Sequence, residues 1–503
     1  MMVPPGPYIA CGAAAGELCL LILAGVVLSL ESELTLAEAI VYGIVCTMMA
    51  LSFIYQLSFA THLSTLGIAA EILLVAAAAG YLYLHAGKLK GAYRALRRFV
   101  GQNPAALTGL MAMGTWLGWT ALTRLPDAPQ WSFLWPVISM ETSGQMSTVG
   151  PSINHSALSH LLLRHSGWFG FGIFGWLSYG AIGAGTYALA RRYAWPETAL
   201  TSAMVVLSAP RLVYHAVTPG MEMIPAAAVM FALVALYRTL ERATAADFFL
   251  LWVGISFAVS GNPIGFAYPA ILVGLSALVL IRRHGGRIWW RLVKEKPWAA
   301  LLAVGPIGVF SQLLPMMAGT GAQRAHYVPN DAGIVGGIAN LARYFHEGLH
   351  LPPAIDAVID HLFGFSPEAI VSTMNTAVLE PLFGQRGTAE AFLGANLQGP
   401  ANAWFGPLGF LLVVPAWIVA MVRGPRRLKA VAVSLAGYAY LAGLIPAWTP
   451  GNAGLFTVFF VGSGYMTAYM LPPWRITAHR RLFIQVLCLL LMVYACVSMK
   501  LGL

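Results

Sequence analysis

"GAGTYALARRYAWPETALTSAMVVLSAPRLVYHAVTPGMEMIPAAAVMFALVALYR", residues 183–238, is apolar almost throughout and is cut by Arg191-Arg192, Pro210-Arg211 and Pro219-Gly220. Two of the pieces, 193–209 and 221–238, approach the roughly 20 residues that a helix needs to cross a hydrocarbon core of about 30 Å. Outside this stretch the chain continues in the same manner. Of its 503 residues 58% are hydrophobic and only 10% are charged, and the mean hydropathy is +0.73. Those values exclude a soluble globular domain and point to a polytopic membrane protein.

Apolar segments of spanning length lie near 8–30, 35–57, 64–85, 104–122, 167–190, 199–215, 220–238, 246–262, 265–281, 298–318, 403–422, 429–447, 453–472 and 482–499. Pro210 interrupts the sixth. The expected fold is therefore all-α, with about 12–14 spans.

Basic residues set the orientation, because Lys and Arg in short loops resist translocation. Lys88 to Arg98, Arg191-Arg192, Arg238 and Arg242, Arg282 to Lys296, Arg423 to Lys429 and Arg475 to Arg481 hold most of the 29 Lys and Arg. All fall on one side if the spans alternate, which makes that side cytoplasmic. The net charge of +10 is then a topology signal, and no nucleic-acid partner follows from it. All five cysteines sit in expected spans, so neither a disulfide nor a cysteine zinc site is implied for the loops.

Two long segments, 123–166 and 319–402, fall on the external side and are expected to carry interfacial helices. They divide the chain into N-terminal spans 1–122, a first external loop 123–166, central spans 167–318, a second external loop 319–402 and C-terminal spans 403–503. The second loop should hold a helix over about 341–350 capped by Asn340, and another near 354–363. In the first, His155, His160 and His165 recur every five residues, which spreads them around a helix as solvated or headgroup-facing groups. Glu17, Glu38 and Glu71 lie in or near spans, where a carboxylate costs several kcal/mol unless protonated or paired. They are candidates for function, for subunit contact or for a transporter's proton path.

The second loop also contains "ARYFHEGLHLPP", residues 342–353, with His346-Glu347-x-x-His350. On a helix that spacing can present two imidazoles to zinc, as in metalloproteases. An interfacial helix with an apolar stripe of Leu341, Phe345 and Leu349 explains the segment without metal and is the preferred reading.

Taken with "VSGNPIGFAYPAILV", residues 259–273, the opening stretch resembles bacterial membrane glycosyltransferases of the GT-C superfamily. The resemblance implies a GT-C-like helical transferase in a bacterial inner (plasma) membrane. It would take its sugar from a polyprenyl-phosphate donor at the external face, with other membrane lipids around it and in some cases a divalent metal ion. An acidic residue of the first external loop would then act as base, since a hydroxyl acceptor loses its proton as the new bond forms. The external loops offer Asp127, Glu141, Glu222, Asp331 and Glu347, of which Glu141 and Asp127, in the first loop, are the candidates put first. The departing lipid phosphate needs a cation, for which the external loops offer Arg124, Arg164, Arg211, Arg324, Arg343 and Arg386, with Arg343, Arg324 and Arg211 put first and His346 beside them. Ser132 stands after Trp131 where many such enzymes carry Asp, and Gly261 stands where they carry Lys. These departures keep open an inactive GT-C-like subunit or scaffold of a membrane complex.

Overall fold

A computed structural model describes residues 6–61, 63–124, 153–166, 169–219, 222–242, 244–259, 330–349, 353–386, 405–447, 454–471 and 478–501, besides the single residues 137, 281, 287, 294 and 388. Every described element is a helix. Five of them are long and apolar enough to cross a membrane, at Ile9–Glu31, Leu36–Phe59, Thr65–Leu84, Met223–Arg242 and Ala478–Val497. The protein is an all-helical, multi-pass membrane protein. The expected spans coincide with described helices, 199–215 and 453–472 with two short ones each, except 265–281 and 298–318, which lie outside the described residues save Ile281.

The chain forms two compact units, the first made of Met1–Leu189, His215–Pro269 and Val273–Ala325. It opens with α1 (Gly6–Glu31), α2 (Leu36–Ala60), α3 (Ser64–Leu84), α4 (Ala86–Gln102) and α5 (Pro104–Thr123). The α1–α2 turn is fixed by a capping box. Glu38 N donates to Thr35 Oγ1 at 3.4 Å, and Thr35 N donates to Glu38 Oε2 at 3.0 Å. Two orphan amides at the start of α2 are thereby satisfied, which accounts for Glu38 as a cap. A Cβ on Gly25 would lie 2.9 Å from Gly43 Cα, so only glycines let α1 and α2 pack backbone to backbone.

Further on come α6 (Ile153–Ser166), α7 (Ile173–Ala190), the last two residues of α9 (Pro210–Ala216), then α10 (Met223–Arg242) and α11 (Ala245–Val259). A buried ion pair, Arg238 Nε to Asp247 Oδ1 at 2.8 Å, ties α10 to α11. Asp247 Oδ2 also accepts from Thr244 Oγ1 at 2.7 Å, and Arg238 Nη2 donates to the Ser32 carbonyl at 3.3 Å in the α1–α2 turn. Asp247→Ala strands a guanidinium that is almost without water. It should cost about 3–5 kcal/mol, measurable as a lower unfolding temperature of the purified protein.

The second unit is Ala190–Tyr214, Ala270–Leu272 and His326–Leu503. It holds α8 (Pro196–Leu207) and most of α9, and the break between them is where Pro210 was expected to interrupt a span. It also holds α12 (Gly333–Glu347), α13 (Pro353–Phe363), α14 (Pro367–Met374), a π-helical turn at Asn375–Leu379 and α15 (Glu380–Phe383). Then come α16 (Gly406–Arg423), α17 (Arg426–Leu444), α18 (Leu455–Gly464), α19 (Thr467–Met470) and α20 (Ala478–Leu501).

The expected helix over 341–350 is corrected here. It begins at Gly333 and ends at Glu347, so Asn340 lies in its interior, not at its cap. Asn340 Nδ2 donates to the carbonyls of Gly443 at 3.1 Å and Pro446 at 3.2 Å. That fastens α12 to the end of α17, where Gly337 and Gly443 allow close approach.

Candidate functional site

α6 closes the first long loop, and its burial follows from its polar residues finding partners in the neighbouring helices. Asn154 accepts from Ser52 Oγ at 3.0 Å and from Gln56 Nε2, and its own Nδ2 donates to the Phe257 carbonyl at 3.2 Å. His160 lies edge-on to Phe59 and Tyr55, with ring centroids 4.8 and 5.6 Å away. His155 and His160 are therefore buried and not headgroup-facing, as their spacing had suggested. Burial holds the His155 pKa down at about 4, so it stays neutral at physiological pH.

The end of α6 meets the spans through a carboxylate. Glu71 of α3 is only 3% exposed, whereas Arg164 and His165 on α6 are 25% and 28% exposed. His165 Nε2 lies 2.8 Å from Glu71 Oε1, and Arg164 Nη2 donates to Glu71 Oε2 at 3.2 Å. Tyr55 of α2 donates its hydroxyl to the same Oε2 and accepts from Arg164 Nη1 at 2.7 Å. Glu17 of α1 completes the group, its carboxylate within 4.8 Å of the Glu71 and His165 ligand atoms. A buried carboxylate thus holds a guanidinium and an imidazole at its more exposed edge. The hydrogen bond that His165 donates to Glu71 raises the His165 pKa, against the opposing effect of partial burial. The shift moves the balance of the ring toward its protonated form.

Glu17, Glu71 and His165 have the donor types of a divalent-cation site. They do not fit one well, because Glu71 Oε2 is already taken by Tyr55 and Arg164, whose guanidinium supplies the positive charge.

Among the residues singled out from sequence, Glu141, Asp127, Arg324 and His350 lie outside the described residues. Arg211 is the second residue of α9 and is buried. Arg343 of α12 is also buried. Its Nη1 donates to Asn340 Oδ1 and to the Arg386 carbonyl, each at 2.8 Å, and its Nη2 donates to the Gly384 carbonyl at 2.7 Å. Burial lowers the Arg343 pKa to about 10. Its guanidinium borders a small open depression with Asn375, Leu379, Glu380 and Gln385. His346 is buried, with Nε2 2.7 Å from the Val371 carbonyl, and α12 ends before His350. Zinc analysis of purified protein should accordingly give the same content for wild type and His346→Ala. Loss of about one equivalent would restore the metal reading of the His-Glu-x-x-His segment.

No family model matches the chain, and no curated protein does. Among solved structures it is similar to the crystal structure of ArnT from Cupriavidus metallidurans bound to undecaprenyl phosphate, with a TM-score of 0.46 and 14% identity. The match covers 77% of this chain and 62% of that one. This likeness is one of backbone path.

In the sequence Glu17 and Glu71 stand out as costly carboxylates in or near spans, and His165 only as one of three evenly spaced histidines. Local spacing does not join them to Arg164 and Tyr55. The available signal was the cost itself, since an intramembrane carboxylate requires a partner, and Arg164-His165 is the basic pair at the end of the first external loop.

Proposed function

We propose that the protein is a membrane glycosyltransferase, moving a sugar from a polyprenyl-phosphate donor to a hydroxyl acceptor at the external face of a bacterial inner membrane. The observation that carries this reading is the grip of Glu71 on Arg164 and His165, which gathers a guanidinium and a proton-accepting imidazole where α6 meets α2 and α3. In such a transfer the acceptor oxygen bonds to the anomeric carbon as that carbon's bond to the lipid-phosphate oxygen breaks. The acceptor proton goes to a carboxylate, and the leaving phosphate keeps the electron pair. Arg164 and His165 hold that phosphate, while Glu71 and Tyr55 position them. Glu141 takes the proton, with Asp127 as its alternate, from the segment that leads into α6. Arg324, Arg211 and His346 are secondary candidates for the donor's charge. Arg343 is the weakest of the group, because three backbone and side-chain oxygens already hold its guanidinium.

The test is transfer in proteoliposomes from synthetic polyprenyl-phosphate sugars. Arg164→Gln should raise the KM for donor about tenfold or more while lowering kcat less, as expected for a group that binds phosphate in both ground and transition states. An unchanged KM would remove Arg164 from donor binding.

One observation favours a second reading, an inactive subunit or scaffold. Both oxygens of Glu71 are occupied by protein partners, as they would be if the cluster served only to fasten α6 to the spans. Absence of transfer from every donor, together with full biological activity of Arg164→Gln, would select it.

A further inference from the structure

α4 is unlike the spans on either side of it. Its seventeen residues, "AGKLKGAYRALRRFVGQ", contain no Asp or Glu. At 100° per residue Lys90, Arg94, Arg97 and Arg98 fall within an arc of about 100°, and Leu89, Ala92, Tyr93, Leu96, Phe99 and Val100 share the opposite side. All four cations are exposed. Among the described residues none of the four forms an ion pair with a carboxylate, whereas Lys88, off the arc, pairs with Glu31. The apolar side is only partly covered. Phe99 packs on Tyr187 with centroids 5.0 Å apart, but Tyr93 is 65% and Leu96 46% exposed.

The place of α4 in the chain limits what can meet this surface. α3 ends at Leu84 and α4 begins at Ala86; α4 ends at Gln102 and α5 begins at Pro104. The helix is tethered within two residues at each end to apolar helices, of which α3 is long enough to cross the membrane. It cannot leave the bilayer surface. An aromatic and an aliphatic side chain on one side with four cations on the other is the pattern of a helix lying in the interface plane. We infer that α4 binds the anionic lipid headgroups of the leaflet it lies against, with Lys90, Arg94, Arg97 and Arg98 as the phosphate-binding groups and Tyr93 and Leu96 set into the acyl boundary. The inference is independent of any transferase activity.

The experiment compares wild type with K90Q/R94Q/R97Q/R98Q in nanodiscs of phosphatidylcholine with and without phosphatidylglycerol, reading retained lipid by native mass spectrometry. Wild type should enrich bound phosphatidylglycerol over phosphatidylcholine by about tenfold or more. The enrichment should vanish in the variant, and also in 1 M NaCl, which screens charges within about 3 Å. If the fourfold variant does not fold, Arg94→Gln and Arg97→Gln should each remove part of it. Enrichment that survives the substitutions would overturn the proposal, as would its absence in wild type. A stabilisation by inorganic phosphate equal to that by phosphatidylglycerol would also overturn it, as would binding of a single-stranded oligonucleotide that phosphatidylglycerol does not displace.

Discussion

Glu71→Ala should release the end of α6 from the spans and abolish transfer together. Removing the buried carboxylate takes the partner from Arg164, His165 and Tyr55 at once, and breaking a buried pair costs about 3–5 kcal/mol. Because Arg164 and His165 keep a quarter of their surface in solvent, the lower part of that range is expected, read as a fall in unfolding temperature. The gentler Glu71→Gln keeps the shape and should separate folding from function. It removes the interaction that raises the His165 pKa, so the imidazole should lose its proton at a lower pH. In wild type the protonated ring's contribution is complete below the ordinary histidine range. It fades as pH rises through the raised value. Donor affinity should therefore fall from neutral to alkaline pH in wild type, and should already be low and nearly flat over that window in Glu71→Gln. A variant with wild-type affinity and the wild-type pH profile would remove Glu71 from the site.

Glu141→Gln should lower kcat by 10²–10⁴-fold while leaving insertion and unfolding temperature unchanged. The amide preserves shape and hydrogen bonding but cannot accept the acceptor's proton, and loss of a general base carries a penalty of that size. Asp127→Asn should cost less, since Asp127 sits in the Pro-flanked sequence "LPDAPQ" soon after α5. Comparison of kcat with donor KM distinguishes this from the Arg164 effect, which falls mainly on KM. Full activity in both Glu141→Gln and Asp127→Asn would deprive the transferase reading of its base and favour the scaffold.

The spans were legible because a run of about 20 apolar residues admits few structures other than a membrane helix. Pro210 announced the break between α8 and α9, since proline removes a donor and crowds the preceding turn. α12 was placed too late. Its first half, "GIVGGIAN", has glycines that look like a loop, yet Gly337 lies where a Cβ would come within 3.0 Å of Leu444 Cα. That requirement belongs to α17 and leaves no mark in the local sequence. The cluster was half legible for the same reason. Glu71 and Glu17 stand out locally as charges in apolar runs, but the partner that neutralises Glu71 comes from α6, more than ninety positions along the chain. Local spacing placed His155 and His160 on opposite sides of a helix. It could not tell that α1 and α2 pack around that helix.

The central claim is that the basic side chains held by Glu71 receive the donor's phosphate. The most direct test is an experimental structure of the full chain in nanodiscs with polyprenyl phosphate added. The account predicts phosphate density within hydrogen-bond or ion-pair reach, about 3–4 Å, of Arg164 and His165, lost in Arg164→Gln. Phosphate density seated elsewhere, with Arg164 and His165 still closed on Glu71, would contradict it.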